Sequence, residues 1–185
     1  MMKDVMRIRT LIVPGLNGSG PGHWQTIWEE KYDCERVYQR DWENPDLALW
    51  MDTLNAAVTA GSERSIIVAH SLGCLTVAHW AQAYPENTGR IQCGFLVAPP
   101  DVKSSFDIPE ALRCFATHKV IPFPSLLVGS ESDHHMTLEA ARRLAGFWKS
   151  RFVNAGTVGH INLDSGHGPW PQGEDLLQDL IITTM

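Results

Sequence analysis

At 185 residues the chain is long enough for one well-buried core and short for two, so a single domain spanning 1–185 is expected. Hydrophobic and charged fractions of 44% and 19% argue against disorder, and a net charge of −6 argues against the clustered basic surface that nucleic acid requires. No apolar run approaches the roughly 20 residues of a membrane span or forms a signal h-region, and Cys34, Cys74, Cys93 and Cys114 lack CxxC spacing, so free thiols in a reducing cytoplasm are expected.

The elements follow in order. Arg9 to Val13 is a β-branched and aliphatic run stopped by Pro14-Gly15, the pattern of a strand buried on both faces. A glycine-rich loop leads to a helix over His23 to Tyr32, with Trp24, Ile27 and Trp28 at helical spacing. Arg36 to Arg40 reads as a weaker edge strand, and a helix follows from about Pro45, with proline near its first position, to Ala60. The run Ser65 to Ala69 is the next strand, and the helix after Ser71 ends before Pro85.

Gln92 to Ala98 is a further buried strand, closed by Pro99-Pro100. Asp101 to Pro124 is the least regular stretch, with a short helix expected near Pro109 to Phe115. Ser125 to Gly129 is a strand, Thr137 to Lys149 a helix with Leu138, Ala141, Leu144, Ala145 and Trp148 on one face, and Phe152 to Ala155 a last strand. A glycine-rich loop then leads to a closing helix over about Gly173 to Ile182. This alternation is the signature of an α/β fold, a mostly parallel sheet of about six strands with helices on both faces. In such sheets ligands bind outside the carboxyl ends of the strands, so the loops after Val13, Ala69, Ala98, Gly129 and Ala155 should converge.

The chemistry starts at Ala69-His70-Ser71-Leu72-Gly73, where an apolar strand turns sharply into a helix. Such an elbow exposes the Ser71 hydroxyl and places the next N–H at a helix start. A serine hydroxyl is a weak nucleophile and needs a base, itself oriented by a third group. In the chain order nucleophile, acid, histidine, two later strand-end loops offer Asp133 and His160. Asp101 and Asp164 are the rivals for the acid and His167 for the base. Backbone N–H groups of Leu72 and of Leu16, with Asn17 as the alternative to Leu16, are placed to form an oxyanion hole.

His134-His135 lacks the further spaced ligands of a zinc site, and glycines 15, 18, 20 and 22 do not have the GxGxxG spacing, so neither metal nor cofactor is expected. Pocket walls are expected from Asn17, His23, Trp24, His70, His167 and Trp170, together with Phe106, Phe115 and Phe123 of the irregular segment.

Four segments carry a resemblance: Pro14 to Gln25, Ala69 to Gly73, Gly129 to Asp133 and Gly159 to Asn162. Together they resemble the family of small serine hydrolases that includes the retinoblastoma-binding serine hydrolase and many bacterial relatives. The resemblance implies a compact α/β-hydrolase fold with a six-stranded sheet, no large lid, and a triad of Ser71, Asp133 and His160. Two departures stand out: Ala69 replaces the first glycine of the general pentapeptide, and no leucine-x-cysteine-x-glutamate motif is present, so pocket-protein binding is not implied. The function expected is cleavage of a carboxylic ester or similar acyl bond of a small substrate through an acyl-enzyme. A thioesterase or serine peptidase would use the same triad, and a binding or regulatory protein with a vestigial triad would share the fold.

Overall fold

The computed structural model describes residues 8–104 and 108–185. Six strands run in the order β2-β1-β3-β4-β5-β6, every neighbouring pair parallel: β1 (Arg9–Val13), β2 (Glu35–Arg36), β3 (Ser65–His70), β4 (Ile91–Val97), β5 (Ser125–Gly129) and β6 (Arg151–Asn154). Five helices connect or follow them: α1 (Trp24–Tyr32), α2 (Leu47–Thr59), α3 (Leu72–Ala83), α4 (Leu138–Trp148) and α5 (Pro171–Thr184).

Strand side chains alternate between two apolar layers because successive residues point to opposite faces. Leu11, Val13, Ile67, Ala69, Leu96 and Leu127 pack with α2, α3 and α4, whereas Ile12, Val68, Phe95, Val97 and Val128 pack with Trp24 and Trp28 of α1 and Leu180 of α5. The expected helices on both faces are therefore present, and apolar layers cover both faces of the four central strands.

The chain steps outward from β1 to β2 and then returns on the other side of β1 as β3. The strand order thus reverses between β1 and β3, and a crevice opens outside their carboxyl ends. The loop at Leu16 and the elbow at Ser71 flank that crevice.

Three elements differ from the sequence reading by two residues or more at an end. The second strand pairs only at Glu35 and Arg36, and after the Val37 N–H reaches the Ile12 carbonyl oxygen at 2.9 Å the ladder stops, since β1 itself ends before Pro14. The second helix starts at Leu47 instead of Pro45, because the Asp46 side chain accepts from the Leu49 N–H and caps it. The closing helix begins two residues early, with Pro171 in the first turn, where a missing N–H costs nothing.

The α3 start packs so closely on β1 that an added Cβ at Gly73 would lie 2.3 Å from the Val13 carbonyl oxygen and 2.6 Å from that of Pro14. At Gly146 in α4, by contrast, a Cβ meets nothing within 4 Å. Gly73→Ala should cost about 3 kcal/mol by forcing α3 off the sheet, a Tm lowered by about 6–12 °C for a chain of this size. Gly146→Ala should raise stability by up to about 1 kcal/mol through helix propensity. Thermal unfolding of the two variants checks both signs.

Candidate active site

One residue, Ser71, makes the reversal between β3 and α3, with backbone φ 53° and ψ −125°. That conformation costs a residue with a side chain roughly 1–3 kcal/mol. Its neighbours impose it: Gly73 abuts β1, and an added Cβ at Gly15 would lie 2.8 Å from the Ser71 Cβ. The Ser71 N–H also donates to the Val97 carbonyl oxygen of β4 at 2.9 Å.

Three side chains from three loops meet there. His160 Nε2 lies 2.9 Å from Ser71 Oγ, and His160 Nδ1 lies 2.9 Å and 3.1 Å from the two Asp133 carboxylate oxygens. A carboxylate only accepts, so Nδ1 carries the proton and Nε2 presents a lone pair to the Ser71 hydroxyl. Asp133 Oδ1 also accepts from the His135 N–H at 2.9 Å, which fixes the carboxylate plane. The His160 and Asp133 side chains are only 6% and 3% exposed, so little water competes for this chain of contacts.

The loops that carry Asp133 and His160, the candidate acid and base loops, are joined to each other before either meets the serine. Ser130 Oγ accepts from the Val158 N–H at 3.2 Å and Ser132 Oγ from the Gly159 N–H at 2.9 Å. The Glu131 carboxylate accepts from Asn154 Nδ2 at 2.8 Å and Thr157 Oγ1 at 3.3 Å. Sequence reasoning missed these positioning roles; the one signal was the density of short polar side chains in Ser130-Glu131-Ser132-Asp133.

Two further contacts hold the base loop from the far side. His70 Nε2–H donates to the His160 carbonyl oxygen at 3.0 Å, and Trp24 Nε1–H donates to the Ile161 carbonyl oxygen at 2.8 Å. Burial holds His70 well below the usual histidine range, with the nearby His160 and His23 rings adding to the effect, so it is a neutral donor at pH 7. Gln25, fully buried, spends its Nε2–H donors on the Val68 carbonyl oxygen at 3.1 Å and the Val13 carbonyl oxygen at 3.5 Å, bridging the ends of β3 and β1.

A cavity of about 390 Å³ opens over Ser71. Its lining includes Leu16, Asn17, Ser19, Gly20 and His23 of the stretch after β1, and Val102, Ile108, Pro109 and Leu112 of the stretch after β4. His134, His135 and His160 close it on the side of the acid and base loops. Among the described residues no group of three or more His, Cys, Asp or Glu side chains is arranged to hold a metal ion.

Of the expected wall residues, Asn17, His23 and His70 line the cavity with Leu16 and Leu72, whereas Trp24, Phe115, Phe123, His167 and Trp170 do not. Trp24 and Trp170 are buried in the layer under α1, ring centroids 5.1 Å apart, because the sheet there offers an apolar face that the loop does not. His167 instead braces its own loop, with Nδ1 3.2 Å from Ser165 Oγ and its ring edge-on to Trp170. Phe115 and Phe123 belong to the core on the α2, α3 and α4 side, and Phe106 lies outside the described residues. The rival acids are occupied or displaced: Asp101 Oδ1 accepts from the N–H groups of Lys103 and Ser104, and Asp164 sits exposed at the rim. The Asn17 N–H is likewise committed, donating to the Trp42 carbonyl oxygen at 3.0 Å, which leaves the Leu16 N–H as the candidate from that loop.

Residues 10–179 match a family model described as serine hydrolase. No curated protein matches the sequence. Among solved structures, a protein described as a YdeN-like hydrolase from Pectobacterium atrosepticum is 29% identical, covers 97% of this chain and 93% of its own, and superposes with a TM-score of 0.84. The ydeN gene product of B. subtilis is 19% identical, with 94% and 98% covered and a TM-score of 0.79. Est1E from Butyrivibrio proteoclasticus, solved with ferulic acid bound, is 14% identical over 95% of this chain and 89% of that chain, with a TM-score of 0.68. The last two likenesses are of fold alone, and that fold is the α/β-hydrolase fold.

Two outcomes follow from the buried histidines. His70→Phe keeps a ring but removes the donor to the base loop, and should lower the rate of Ser71 labelling by a fluorophosphonate by roughly tenfold through a displaced His160. Burial also lowers the His23 pKa to about 4, so the unfolded chain binds more protons between pH 6.5 and about 4. The stability this neutral histidine contributes is complete above about pH 6.5 and falls as the pH drops toward 4. Urea midpoints measured across that window should show a shallower acid loss in His23→Asn than in the wild type.

Proposed function

This chain belongs to the serine hydrolase family, and from that premise we propose that it cleaves the carboxylic ester of a small substrate through an acyl-enzyme on Ser71. The observation that carries the proposal is the unbroken hydrogen-bonded line from Asp133 through His160 to Ser71 Oγ. In the first half-reaction His160 Nε2 takes the Ser71 proton as Oγ attacks the ester carbonyl carbon. Negative charge develops on the former carbonyl oxygen and is received by the N–H groups of Leu72 and Leu16. The Leu72 N–H heads α3, where the helix dipole adds to the donor, and each such donor is worth roughly 3–4 kcal/mol.

Collapse of the tetrahedral species breaks the bond to the alcohol oxygen, which leaves with the proton held on His160. Water then enters, gives a proton to the same nitrogen and attacks the acyl carbon; Ser71 recovers its proton as the carboxylic acid departs. Asp133 remains a carboxylate throughout and stabilises the imidazolium. The cavity volume of about 390 Å³ supports a small substrate. The unpaired thiols of Cys34, Cys74, Cys93 and Cys114 support a reducing, cytoplasmic setting.

Ser71→Ala should abolish fluorophosphonate labelling and lower kcat on a short p-nitrophenyl ester by about 10⁴-fold or more. Asp133→Asn should keep the fold and lose roughly 10⁴-fold through the wrong His160 tautomer. A panel of matched esters, thioesters and amides, with Ser71→Ala as the control, reads out the bond. Turnover of a thioester or amide alone overturns the ester assignment, and labelling retained in Ser71→Ala overturns Ser71 as the nucleophile.

A further inference from the structure

Among the described residues most of the exposed large apolar side chains stand away from the active site, but two do not. Leu16 and Leu163 are 36% and 51% exposed, and both line the cavity over Ser71. A lone exposed leucine is ordinary on a protein surface. This pair differs because it continues an apolar lining. Val102 and Leu112 are buried and Ile108 is half-buried in the same cavity, so its apolar surface grades from buried to exposed.

Both leucines are held in place. Leu16 carries the N–H that is the candidate oxyanion donor. Leu163 sits in a turn fastened by its flanking residues: the Asn162 N–H donates to Ser165 Oγ at 2.9 Å, the Ser165 N–H donates to Asn162 Oδ1 at 3.0 Å, and the Gly166 N–H donates to the Leu163 carbonyl oxygen at 2.9 Å. That turn directly follows His160 and Ile161, whose carbonyl oxygens accept from His70 and Trp24. Leu163 also reaches the stretch after β1, where a Cβ added at Gly22 would lie 3.7 Å from Leu163 Cδ1. The chain thus fixes a turn beside the catalytic line and leaves half of its leucine uncovered, apolar surface that a ligand in the cavity can remove from water.

The charge of the lining narrows the ligand. Among the described residues the lining holds neither lysine nor arginine, and Asp164, next to Leu163, adds a carboxylate. A chain ending in an anion would meet no cation there, on a protein of net charge −6. We propose that Leu16 and Leu163 form the binding surface for an uncharged apolar chain, and that the preferred substrate is an ester whose acyl or alcohol arm carries such a chain. Each methylene laid on this half-open surface should raise kcat/KM by about twofold, against roughly fourfold for full burial.

The inference rests on ester cleavage at Ser71, and the test separates the two. Values of kcat/KM, normalised to active sites by fluorophosphonate titration, are measured below micelle-forming concentrations for p-nitrophenyl acetate, butyrate and hexanoate and for ethyl, butyl and hexyl acetate. The wild type should gain about tenfold or more from the shortest to the longest member of at least one series. Leu163→Ser should cut that gain to about fourfold or less, and Leu163→Met should keep it. Ile182→Ser, which removes a side chain 62% exposed on α5, should leave the gain intact. p-Nitrophenyl hexanoate should exceed the p-nitrophenyl monoester of adipic acid, the same chain ending in a carboxylate, by about tenfold. Flat series in the wild type, or a gain that survives in Leu163→Ser, overturn the role of the leucines, and equal rates on the hexanoate and adipate esters overturn the preference for an uncharged chain. A wild type that turns over no ester of either series overturns the ester reading itself, and the inference with it.

Discussion

Everything at the site depends on one backbone constraint, the positive φ of Ser71 between the last residue of β3 and the first of α3. A strand and a helix joined by a single residue leave that residue no relaxed conformation. The strain, roughly 1–3 kcal/mol, is outweighed by the helix it launches. Leu72, Cys74, Leu75, Val77 and Ala78 are all buried, and burying even one leucine or valine contributes about 1.5–3 kcal/mol. The same packing explains why glycine is needed at 73 but not at 69. Gly73 touches β1 backbone, where a methyl has no room. Position 69 lies within the strand itself, paired with Val13 and Leu96 and fully buried as an alanine, so the added methyl is part of the core.

On the proposed mechanism a fixed nucleophile is useful only if its base is fixed as firmly, and His160 is carried by a loop. The loop acquires rigidity by being held from three directions. The serines of the acid loop accept its N–H groups, His70 donates to the His160 carbonyl oxygen, and Trp24 donates to that of Ile161. The loop's own backbone is not relaxed at Ile161, a β-branched residue with φ 50°, so these contacts select one conformation that the chain would not hold alone. His70 couples nucleophile and base directly, since it precedes Ser71 in the chain and grips the residue that Ser71 must meet.

How much of this the sequence revealed depends on the range of the interaction. The central strands were legible because a strand buried on both faces has only apolar residues, and the order Ser71, Asp133, His160 was legible because each lies just past a strand end. The extent of β2 was not legible, because it is set by Pro14, which stops its neighbour β1. The clamps on the base loop were not legible either: the Trp24 contact spans 137 residues and the His70 contact 90, and no local pattern announces them. The aromatic residues of the irregular segment misled for a related reason. In the 3-10 turn Glu110–Phe115 side chains three apart fall on one side, yet Leu112 reaches the cavity while Phe115 packs edge-on to Trp50. Composition identifies apolar residues, and only packing decides whether they fill a core or line a wall.

His23, Trp24 and Gln25 show how narrowly those two destinies can be separated. Three consecutive residues at one helix start face the cavity, the far layer of the core and the ends of two strands, respectively. The last two cannot change without loosening the sheet or the base loop, so they belong to the machinery that any substrate would need. His23 is different: its Nδ1 caps the helix, a role that several side chains can fill, and its ring lies beside those of Trp24 and His70. On the proposed reading, the geometry of the triad is held by groups that are paired within the protein, Trp24 Nε1–H and Gln25 Nε2–H among them.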